Sequence, residues 1–119
     1  NNSTSGIAKV IDFITENFAE NISLSKASDM AAMSKTAFAR NFQKFTGSKF
    51  SEFVTRVRIG QACSMLQATD LTVATICHEV GYNNLANFNR HFLKIKEMTP
   101  SNYRDFVRRE LLRGMAAKR

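Results

Sequence analysis

Hydrophobic residues recur along this chain every three or four positions, the spacing of amphipathic helices, and no run alternates as a strand does. The first predicted helix carries a hydrophobic stripe made of Ile7, Val10, Ile11, Ile14 and Phe18. This helix is expected to end near Asn21. The polar residues 1–6 precede the stripe, and their composition predicts a linker or a cloning remnant.

Capping residues divide the next part of the chain into three helices. Ser25 or a neighbouring residue is a candidate N-cap for a short helix that ends near Ala31. Ser34 is expected to cap a third helix, and Gly47 is expected to terminate it. Hydrophobic positions then predict a longer fourth helix over residues 50–67.

Three further helices are predicted in the second half of the chain. Thr72 is a candidate cap for a short helix that stops at Gly81, and Asn83 or Asn84 is a candidate cap for the next helix. Pro100 suits the first turn of a seventh helix, where its missing N–H has no helical partner to lose. The predicted fold class is therefore all-α, with seven helices.

The third and sixth predicted helices contain the same motif, fifty positions apart. Residues 38–44 read Phe-Ala-Arg-Asn-Phe-Gln-Lys, and residues 88–94 read Phe-Asn-Arg-His-Phe-Leu-Lys. Both follow the pattern Phe-x-Arg-x-Phe-x-Lys, and a short helix and a tight turn precede each copy. This order of elements is typical of the helix-turn-helix, and two matched copies make chance a poor explanation.

In each copy the phenylalanines share one face of the helix and the arginine projects from another, because successive residues are about 100° apart. The outward positions of the third helix are Thr36, Ala39, Arg40 and Gln43. Those of the sixth helix are Leu85, Ala86, Asn89, Arg90 and Leu93. Short side chains on such a face let a helix enter a major groove closely. There arginine can bind guanine O6 and N7, and small apolar groups can contact thymine methyls.

Charge is concentrated around both motifs. The 119 residues carry a formal net charge of +7, and 44% of them are hydrophobic. Residues 35–60 contain six basic residues and one acidic residue, and residues 90–119 contain nine basic and three acidic residues. The segments that alternate with them are acidic overall. This alternation predicts a basic face suited to a polyanion such as nucleic acid.

Several other kinds of chemistry are disfavoured by the composition. Two cysteines, Cys63 and Cys77, are too few for a disulfide scaffold or a four-cysteine zinc site, and Cys77 is expected to be a small core residue. His78 and His91 have no partners at metal-ligand spacing. The chain has no nucleophile–base set and no Gly-rich phosphate loop, so we expect no enzyme, cofactor or metal site. No segment is apolar enough to span a membrane, and a cytoplasmic protein is expected.

The spacing of motifs extends through both halves of the chain. The second half reads Thr72-x3-Ile76-x4-Gly81-Tyr82-x5-Phe88-x-Arg90-x-Phe92-x-Lys94-x4-Thr99-Pro100-x2-Tyr103-Arg104. The first half reads Met33-Ser34-x3-Phe38-x-Arg40-x-Phe42-x3-Thr46-Gly47, followed by Arg58-Ile59-x2-Ala62-x2-Leu66. Over about residues 7–107 the chain resembles the AraC/XylS-type transcriptional regulators, a bacterial-type family.

The resemblance implies one DNA-binding domain over residues 7–113, with helix-turn-helix lobes at 7–49 and 68–113, a linker helix at 50–67 and a basic tail at 114–119. It implies sequence-specific binding of double-stranded promoter DNA, with two recognition helices in successive major-groove segments. The residues expected to face bases are Thr36, Ala39, Arg40, Gln43, Leu85, Ala86, Asn89 and Arg90. Those expected to face phosphates are Ser34, Lys35, Lys44, Asn83, Asn84 and Lys94. Expected partners besides DNA are RNA polymerase and an effector or dimerisation domain on a missing N-terminal part.

Three residues depart from the family pattern. Ala32 and Glu97 stand where the family usually has glycine, and a non-glycine residue at positive φ costs roughly 1 kcal/mol. We therefore expect these two turns to be altered or slightly strained. Gly60 lies inside the predicted linker helix, at a similar cost of roughly 1 kcal/mol relative to alanine.

The remaining arginines divide into two expected roles. Arg58 and Arg104 are expected to be structural and to bond helix ends across the lobes. Arg108, Arg109 and Arg113 are expected to be solvated or near phosphate.

Two other functions stay open at this point. A helical protein-interaction module would fold in the same way but would not need two matched basic recognition helices. Binding to RNA or to a membrane surface is disfavoured, because neither exposed aromatic residues nor one continuous basic amphipathic helix is predicted.

Overall fold

The computed structural model describes residues 2–117, and within them the secondary structure is helical throughout, with seven helices. The helices are α1 (Asn2–Glu16), α2 (Leu24–Met30), α3 (Lys35–Thr46), α4 (Phe50–Ala68), α5 (Val73–Glu79), α6 (Leu85–Lys96) and α7 (Pro100–Ala117). The predicted all-α class and the number of helices are confirmed.

The chain divides into two compact units, Asn1–Arg58 and Ile59–Arg119. Each unit has the same order of elements: an opening helix, a short helix, a tight turn, a third helix and a closing helix. The first part of α4 closes the first unit, and its second part opens the second unit. The helix predicted as a linker therefore also supplies core residues to both units.

Phenylalanines from α3 form the centre of the first unit. Phe38 and Phe42 are fully buried, and their ring centroids are 5.5 Å apart. Phe50 of α4 meets both rings edge-on at 5.6 Å, which is the favoured arrangement for aromatic pairs. The other buried residues around them come from α1, α2, α4 and the segments on either side of α2: Ile7, Val10, Ile14, Ile22, Ala27, Ala31 and Val54. This core holds α3 with one face inward.

The second unit repeats this arrangement with α6. Phe88 and Phe92 are fully buried, with ring centroids 5.9 Å apart. Tyr82 packs edge-on against Phe88 at 5.3 Å, and Tyr103 of α7 packs edge-on against Phe92 at 5.6 Å. The remaining buried hydrophobic residues of this unit are Ile59, Ala62, Cys63, Leu66, Ile76, Cys77 and Val80. The predicted core position of Cys77 is confirmed.

An arginine from the closing helix of the first unit ties down the loop after its opening helix. Arg58 donates from Nε to the Phe18 carbonyl and from Nη2 to the Glu20 carbonyl, each at 2.7 Å. Charge-assisted hydrogen bonds of this kind satisfy backbone carbonyls of the loop that follows α1. The expected structural role of Arg58 is confirmed, but the expectation that it bonds across the lobes was wrong, because all three residues lie in the first unit.

Two arginines of α7 hold the corresponding loop of the second unit. Arg104 donates to the carbonyls of Leu66, Thr69 and Leu71, with N–O distances of 2.9, 3.2 and 2.7 Å. Arg108 donates to the Thr69 carbonyl at 2.6 Å and pairs with the Asp70 carboxylate at 3.1 Å.

The expectation that Arg108 is solvated or near phosphate was wrong, because its guanidinium is engaged by the α4–α5 loop. Arg113 fits that expectation better, since its side chain is 76% exposed beside Glu110.

The two ends of α1 differ from the sequence expectation. The helix begins at Asn2, so residues 2–6, which were expected to form a linker, are helical. A Cβ atom at Gly6 would lie 3.0 Å from the Ala31 carbonyl oxygen, so this glycine lets α1 approach the end of α2 closely. The helix ends at Glu16 rather than near Asn21, because Asn17 donates its side-chain amide to the Phe13 carbonyl and the chain then turns.

Most predicted caps are confirmed. Ser34, Thr72 and Asn84 accept hydrogen bonds from backbone N–H groups in the first turns of α3, α5 and α6, and Pro100 opens α7. The cap of α2 is Ser23 rather than Ser25.

The far end of α7 and two aromatic residues also differ from expectation. Helix α7 continues to Ala117, so residues 114–117 of the predicted basic tail are helical, and residues 118–119 lie outside the described residues. Phe45 and Phe106 are 52% and 45% exposed, although no exposed aromatic residues were predicted.

Each unit contains two residues with left-handed backbone geometry. In the turn before the third helix of each unit, Ala32 has φ 57° and Gly81 has φ 102°. At the end of that helix, Gly47 has φ 80° and Glu97 has φ 60°. Each unit thus uses glycine at one of the two positions and a larger residue at the other. The strain expected at Ala32 and Glu97 follows from these angles.

Replacing Glu97 by glycine is expected to raise the free energy of unfolding by about 1 kcal/mol, because glycine adopts positive φ without a Cβ clash. The matched control is Gly47→Ala at the equivalent position, which should lower the free energy of unfolding by about 1 kcal/mol. No atom lies within 4 Å of a Cβ placed on Gly47, so backbone conformation alone would cause that loss. Urea unfolding measures both values. Equal stability of all three proteins would contradict the argument.

A tyrosine–histidine pair connects the turn of the second unit to α6. Tyr82 Oη and His91 Nδ1 lie 2.7 Å apart, and the tyrosine hydroxyl donates when the neutral ring carries its proton on Nε2. Burial lowers the pKa of His91 below its usual 6.5, and the neighbouring charges of Arg90 and Lys94 lower it further. The folded protein therefore favours the neutral ring.

The pH dependence of stability should report this pair. Between the lowered pKa of His91 and 6.5, the unfolded chain binds more protons than the folded protein, so stability falls as pH drops through this window. His91→Gln is expected to reduce that loss, measured as the change in free energy of unfolding between about pH 7.5 and about pH 5.5. His78→Gln, on an exposed residue of α5, is the matched control. An unchanged pH profile in His91→Gln would contradict the prediction.

Candidate nucleic-acid interface

Helix α3 presents a polar and basic face opposite its buried phenylalanines. We call this the α3 outer face, and its members are Lys35, Thr36, Ala39, Arg40, Gln43 and Lys44. All are exposed except Ala39, which is half-buried. Phe38 and Phe42 on the other side are fully buried. The predicted base-facing residues of this helix therefore lie together on an accessible surface.

Helix α6 presents the equivalent face in the second unit. The α6 outer face consists of Leu85, Ala86, Asn89, Arg90, Leu93 and Lys94, each fifty positions after its counterpart on α3. All six are exposed, and Leu85 and Leu93 have exposed fractions of 45% and 50%. These two leucines occupy the positions of Lys35 and Gln43, so the α6 outer face is the more apolar of the two.

The predicted phosphate-facing residues flank these faces. Lys35, Lys44, Asn83 and Lys94 are exposed. Ser34 and Asn84 are exposed too, but their side-chain oxygens accept from the N–H groups of Ala37 and Asn87 at 3.1 and 2.8 Å. The Ser34 hydroxyl proton and the Asn84 amide group are still chemically able to donate to a phosphate.

The electrostatics of both helices favour an anionic ligand. Neither α3 nor α6 contains an acidic residue, and the outer faces carry Lys35, Arg40, Lys44, Arg90 and Lys94. Arginine presents a planar fork of N–H donors that can bind two acceptors at once, while lysine offers a compact charge suited to phosphate. Together they give each outer face one residue able to read a base edge and one or two able to bind the backbone of a nucleic acid.

The two arginines differ in their surroundings. Arg90 donates from Nη2 to the Asn87 side-chain oxygen. Residue 37, the counterpart of Asn87, is alanine, and no hydrogen bond or ion pair engages Arg40 among residues 2–117. Asn87 is not among the residues that the sequence predicted for the site. The signal that could have revealed it is the three-residue spacing to Arg90 on a predicted helix.

Other chemistry finds little support in the described structure. Burial raises the pKa of both the Cys63 and the Cys77 thiols, which disfavours the reactive thiolate. Within residues 2–117 no group of three or more His, Cys, Asp or Glu side chains is placed to hold a metal ion. None of the described helices combines the length and the apolar character needed to cross a membrane.

Comparisons with known sequences agree with this architecture. A family model described as a helix-turn-helix domain matches residues 27–105. An HTH-type transcriptional regulator from Haemophilus influenzae is 33% identical over 84 residues, which cover 71% of this chain and 28% of that protein. One from Staphylococcus aureus is 32% identical over 98 residues, covering 82% of this chain and 13% of that protein. The chain thus spans less than a third of the length of these relatives.

Solved structures that resemble this chain also belong to DNA-binding transcriptional regulators. The DNA-binding domain of the global transcriptional factor AdpA, solved in complex with a target DNA, matches with a TM-score of 0.83 and 25% identity, over 87% of this chain and 94% of that chain. A probable AraC family transcriptional regulator from Rhodopseudomonas palustris matches with a TM-score of 0.77 and 25% identity, over 87% and 97% of the two chains. With its matched family model, its two helix-turn-helix units and its two equivalent outer faces, the chain belongs to the AraC-type family of helix-turn-helix domains.

Proposed function

We propose that this domain binds double-stranded DNA sequence-specifically and thereby regulates transcription, with α3 and α6 as its recognition helices. The observation that carries the proposal is the match between the two outer faces. Each has an exposed arginine and an exposed lysine at the same positions, and neither helix has an acidic residue. A protein-interaction module would have no need to repeat this arrangement.

Short side chains beside the arginines allow each helix to approach the floor of a major groove. Ala39 flanks Arg40 on α3, and Ala86 lies one turn before Arg90 on α6. At that distance the arginine fork can bind guanine O6 and N7. Asn89 can bind adenine N6 and N7 in a similar two-point manner.

The two helices should prefer different base sequences. Leu85 and Leu93 are the exposed apolar residues of the α6 outer face, and apolar groups recognise the thymine methyl. The corresponding residues of α3 are Lys35 and Gln43, which favour phosphate and base-edge hydrogen bonds. We therefore expect the subsite of α6 to contain thymines next to a guanine, and the subsite of α3 to be less dependent on thymine.

The comparisons support the proposal at the level of the family. The AdpA domain was solved with a target DNA, and the matched relatives are named transcriptional regulators. We extend the proposal to the protein in which this domain works: regulation in the cytoplasm, through RNA polymerase and through an effector or dimerisation domain. The greater length of the relatives is consistent with such additional domains.

Salt dependence tests the proposal directly. Residues 35–60 and 90–119 contain 15 of the 17 basic residues, so several phosphates should be neutralised on binding. We expect log K for duplex DNA to fall with log salt concentration at a slope of roughly −4 to −8. Fluorescence anisotropy with a duplex obtained by random-site selection measures the slope. A slope near zero, or equal binding to RNA or anionic vesicles, would contradict the proposal.

Substituting each arginine should separate base reading from phosphate binding. Arg40→Ala and Arg90→Ala are each expected to cost roughly 1–3 kcal/mol of binding free energy and to relax preference at one base pair. Lys44→Ala and Lys94→Ala are the matched controls, expected to weaken all duplexes alike and to reduce the salt slope by about 1. Titrations against duplexes substituted at single base pairs measure both effects. Uniform weakening by an arginine variant would identify that arginine as a phosphate contact.

Spacing tests whether both helices read the same duplex. Insertion of about 5 base pairs between the two subsites turns the second subsite to the opposite side of the DNA. We expect most specific affinity to be lost, because one monomer could then engage only one subsite. Insertion of about 10 base pairs is the control, because it returns the second subsite to the original side of the DNA but leaves the two subsites farther apart. Unchanged affinity after the shorter insertion would show that only one helix-turn-helix reads DNA.

A further inference from the structure

The two recognition helices hold their arginines differently, although their sequences and folds correspond. On α6, Arg90 donates from Nη2 to the side-chain oxygen of Asn87, one turn earlier. On α3, the residue one turn before Arg40 is Ala37, whose methyl group cannot accept a hydrogen bond. The same scaffold therefore carries one arginine with a side-chain anchor and one arginine without it.

The anchor on α6 is itself part of a connected set of hydrogen bonds. Asn84 accepts from the backbone N–H of Asn87 at 2.8 Å and so fixes the first turn of the helix. The half-buried Asn87 then accepts from Arg90 through its own side chain. In the first unit Ser34 accepts from the Ala37 N–H at 3.1 Å, so the cap is equivalent and only the second link is absent.

The direction of this bond matters for recognition. Long side chains on a helix point back toward its N-terminus, and the bond to Asn87 keeps the Arg90 guanidinium above the first turn of α6. The N-terminal part of a recognition helix is the part that contacts base edges. A guanidinium has five N–H donors, and Asn87 uses one of them. The other four can still form the two-point contact with guanine.

We propose that Asn87 is a positioning residue that pre-orients Arg90 for base reading, so that the α6 subsite is read more strictly than the α3 subsite. The proposal rests on the proposed function and adds a specific role for Asn87. A held arginine loses less side-chain freedom on binding the correct base. It also adapts less readily to a wrong base, whereas the unanchored Arg40 can change rotamer.

A reciprocal exchange of the two residues tests this. Asn87→Ala should reduce discrimination at the base pair contacted by Arg90 by about 3- to 10-fold, and leave discrimination at the Arg40 base pair unchanged. Ala37→Asn should increase discrimination at the Arg40 base pair by a similar factor. Discrimination is the ratio of Kd for a duplex with that base pair replaced to Kd for the selected duplex. Both are titrated at one salt concentration.

Two further variants separate positioning from a structural effect. In the Arg90→Ala background, Asn87→Ala should produce no additional change in discrimination, because the residue that it positions is gone. Asn87→Asp keeps an oxygen that accepts from Arg90, so it should preserve discrimination while its added negative charge weakens all duplexes alike. The salt slope of Asn87→Ala should equal that of the wild type. Thermal unfolding of every variant shows whether the fold is intact.

The possible results distinguish this inference from the proposed function. Suppose that the wild type binds duplex DNA with steep salt dependence and that Arg90→Ala reduces discrimination at one base pair. If Asn87→Ala leaves discrimination at that base pair unchanged, the positioning role is wrong and the proposed function stands. The positioning role is also overturned if Asn87→Ala lowers the affinity for all duplexes equally. The same conclusion follows if Asn87→Ala changes discrimination in the Arg90→Ala background as much as it does in the wild type. If Asn87→Ala does not fold, Ala37→Asn and Asn87→Asp decide the question. If the wild type shows no salt-dependent duplex binding, the proposed function itself fails.

Discussion

Burial of two phenylalanines on each of α3 and α6 is the interaction on which the arrangement of this domain depends. Phe38 and Phe42, like Phe88 and Phe92, are one helical turn apart and fully buried. Once both rings are packed in the core, the rotation of the helix about its own axis is determined. The residue midway between them in sequence, an arginine in both copies, must then project outward. Stability and recognition are therefore set by alternate faces of the same twelve-residue helix.

The loops before the short helices show how each unit closes around that core. In both units an arginine of the closing helix donates to backbone carbonyls in and around the loop that follows the opening helix. Arg58 lies on α4 and Arg104 on α7, so the same solution recurs in corresponding places. These arginines are basic residues that serve the fold. The net positive charge of the chain therefore overstates the charge that is free to meet DNA.

The sequence was sufficient for the architecture because each helix carries local signals that agree with its tertiary role. Periodic hydrophobic residues, the caps Ser34 and Thr72 and the repeated Phe-x-Arg-x-Phe-x-Lys motif all point to the same seven-helix fold. What could not be read from local signals depends on contacts between distant residues. The close approach of α1 to the end of α2 depends on Gly6 lying against Ala31, and the engagement of Arg108 depends on a loop residue 39 positions away.

For the candidate site, the sequence predicted which residues are outward-facing but not how they are held. Helical periodicity places Arg40 and Arg90 on equivalent surfaces, as the structure does. The hydrogen-bond partner of Arg90 could be identified only from the structure. An asparagine three residues before an arginine on a helix forms this bond only in some side-chain rotamers. Whether the predicted base-facing and phosphate-facing residues touch DNA stays a prediction.

Comparison of the two units shows which positions this fold allows to vary. The core phenylalanines and the left-handed positions recur, because packing density and backbone geometry constrain them. The outer faces differ, with leucines at 85 and 93 where α3 has lysine and glutamine. An exposed side chain contributes little to stability, so its replacement changes what the helix can contact without changing whether the helix folds. Asn87 and Ala37 are half-buried, but neither belongs to the buried core. Under the proposed function, two copies of one scaffold would read different bases with different strictness, through side chains that lie outside the core.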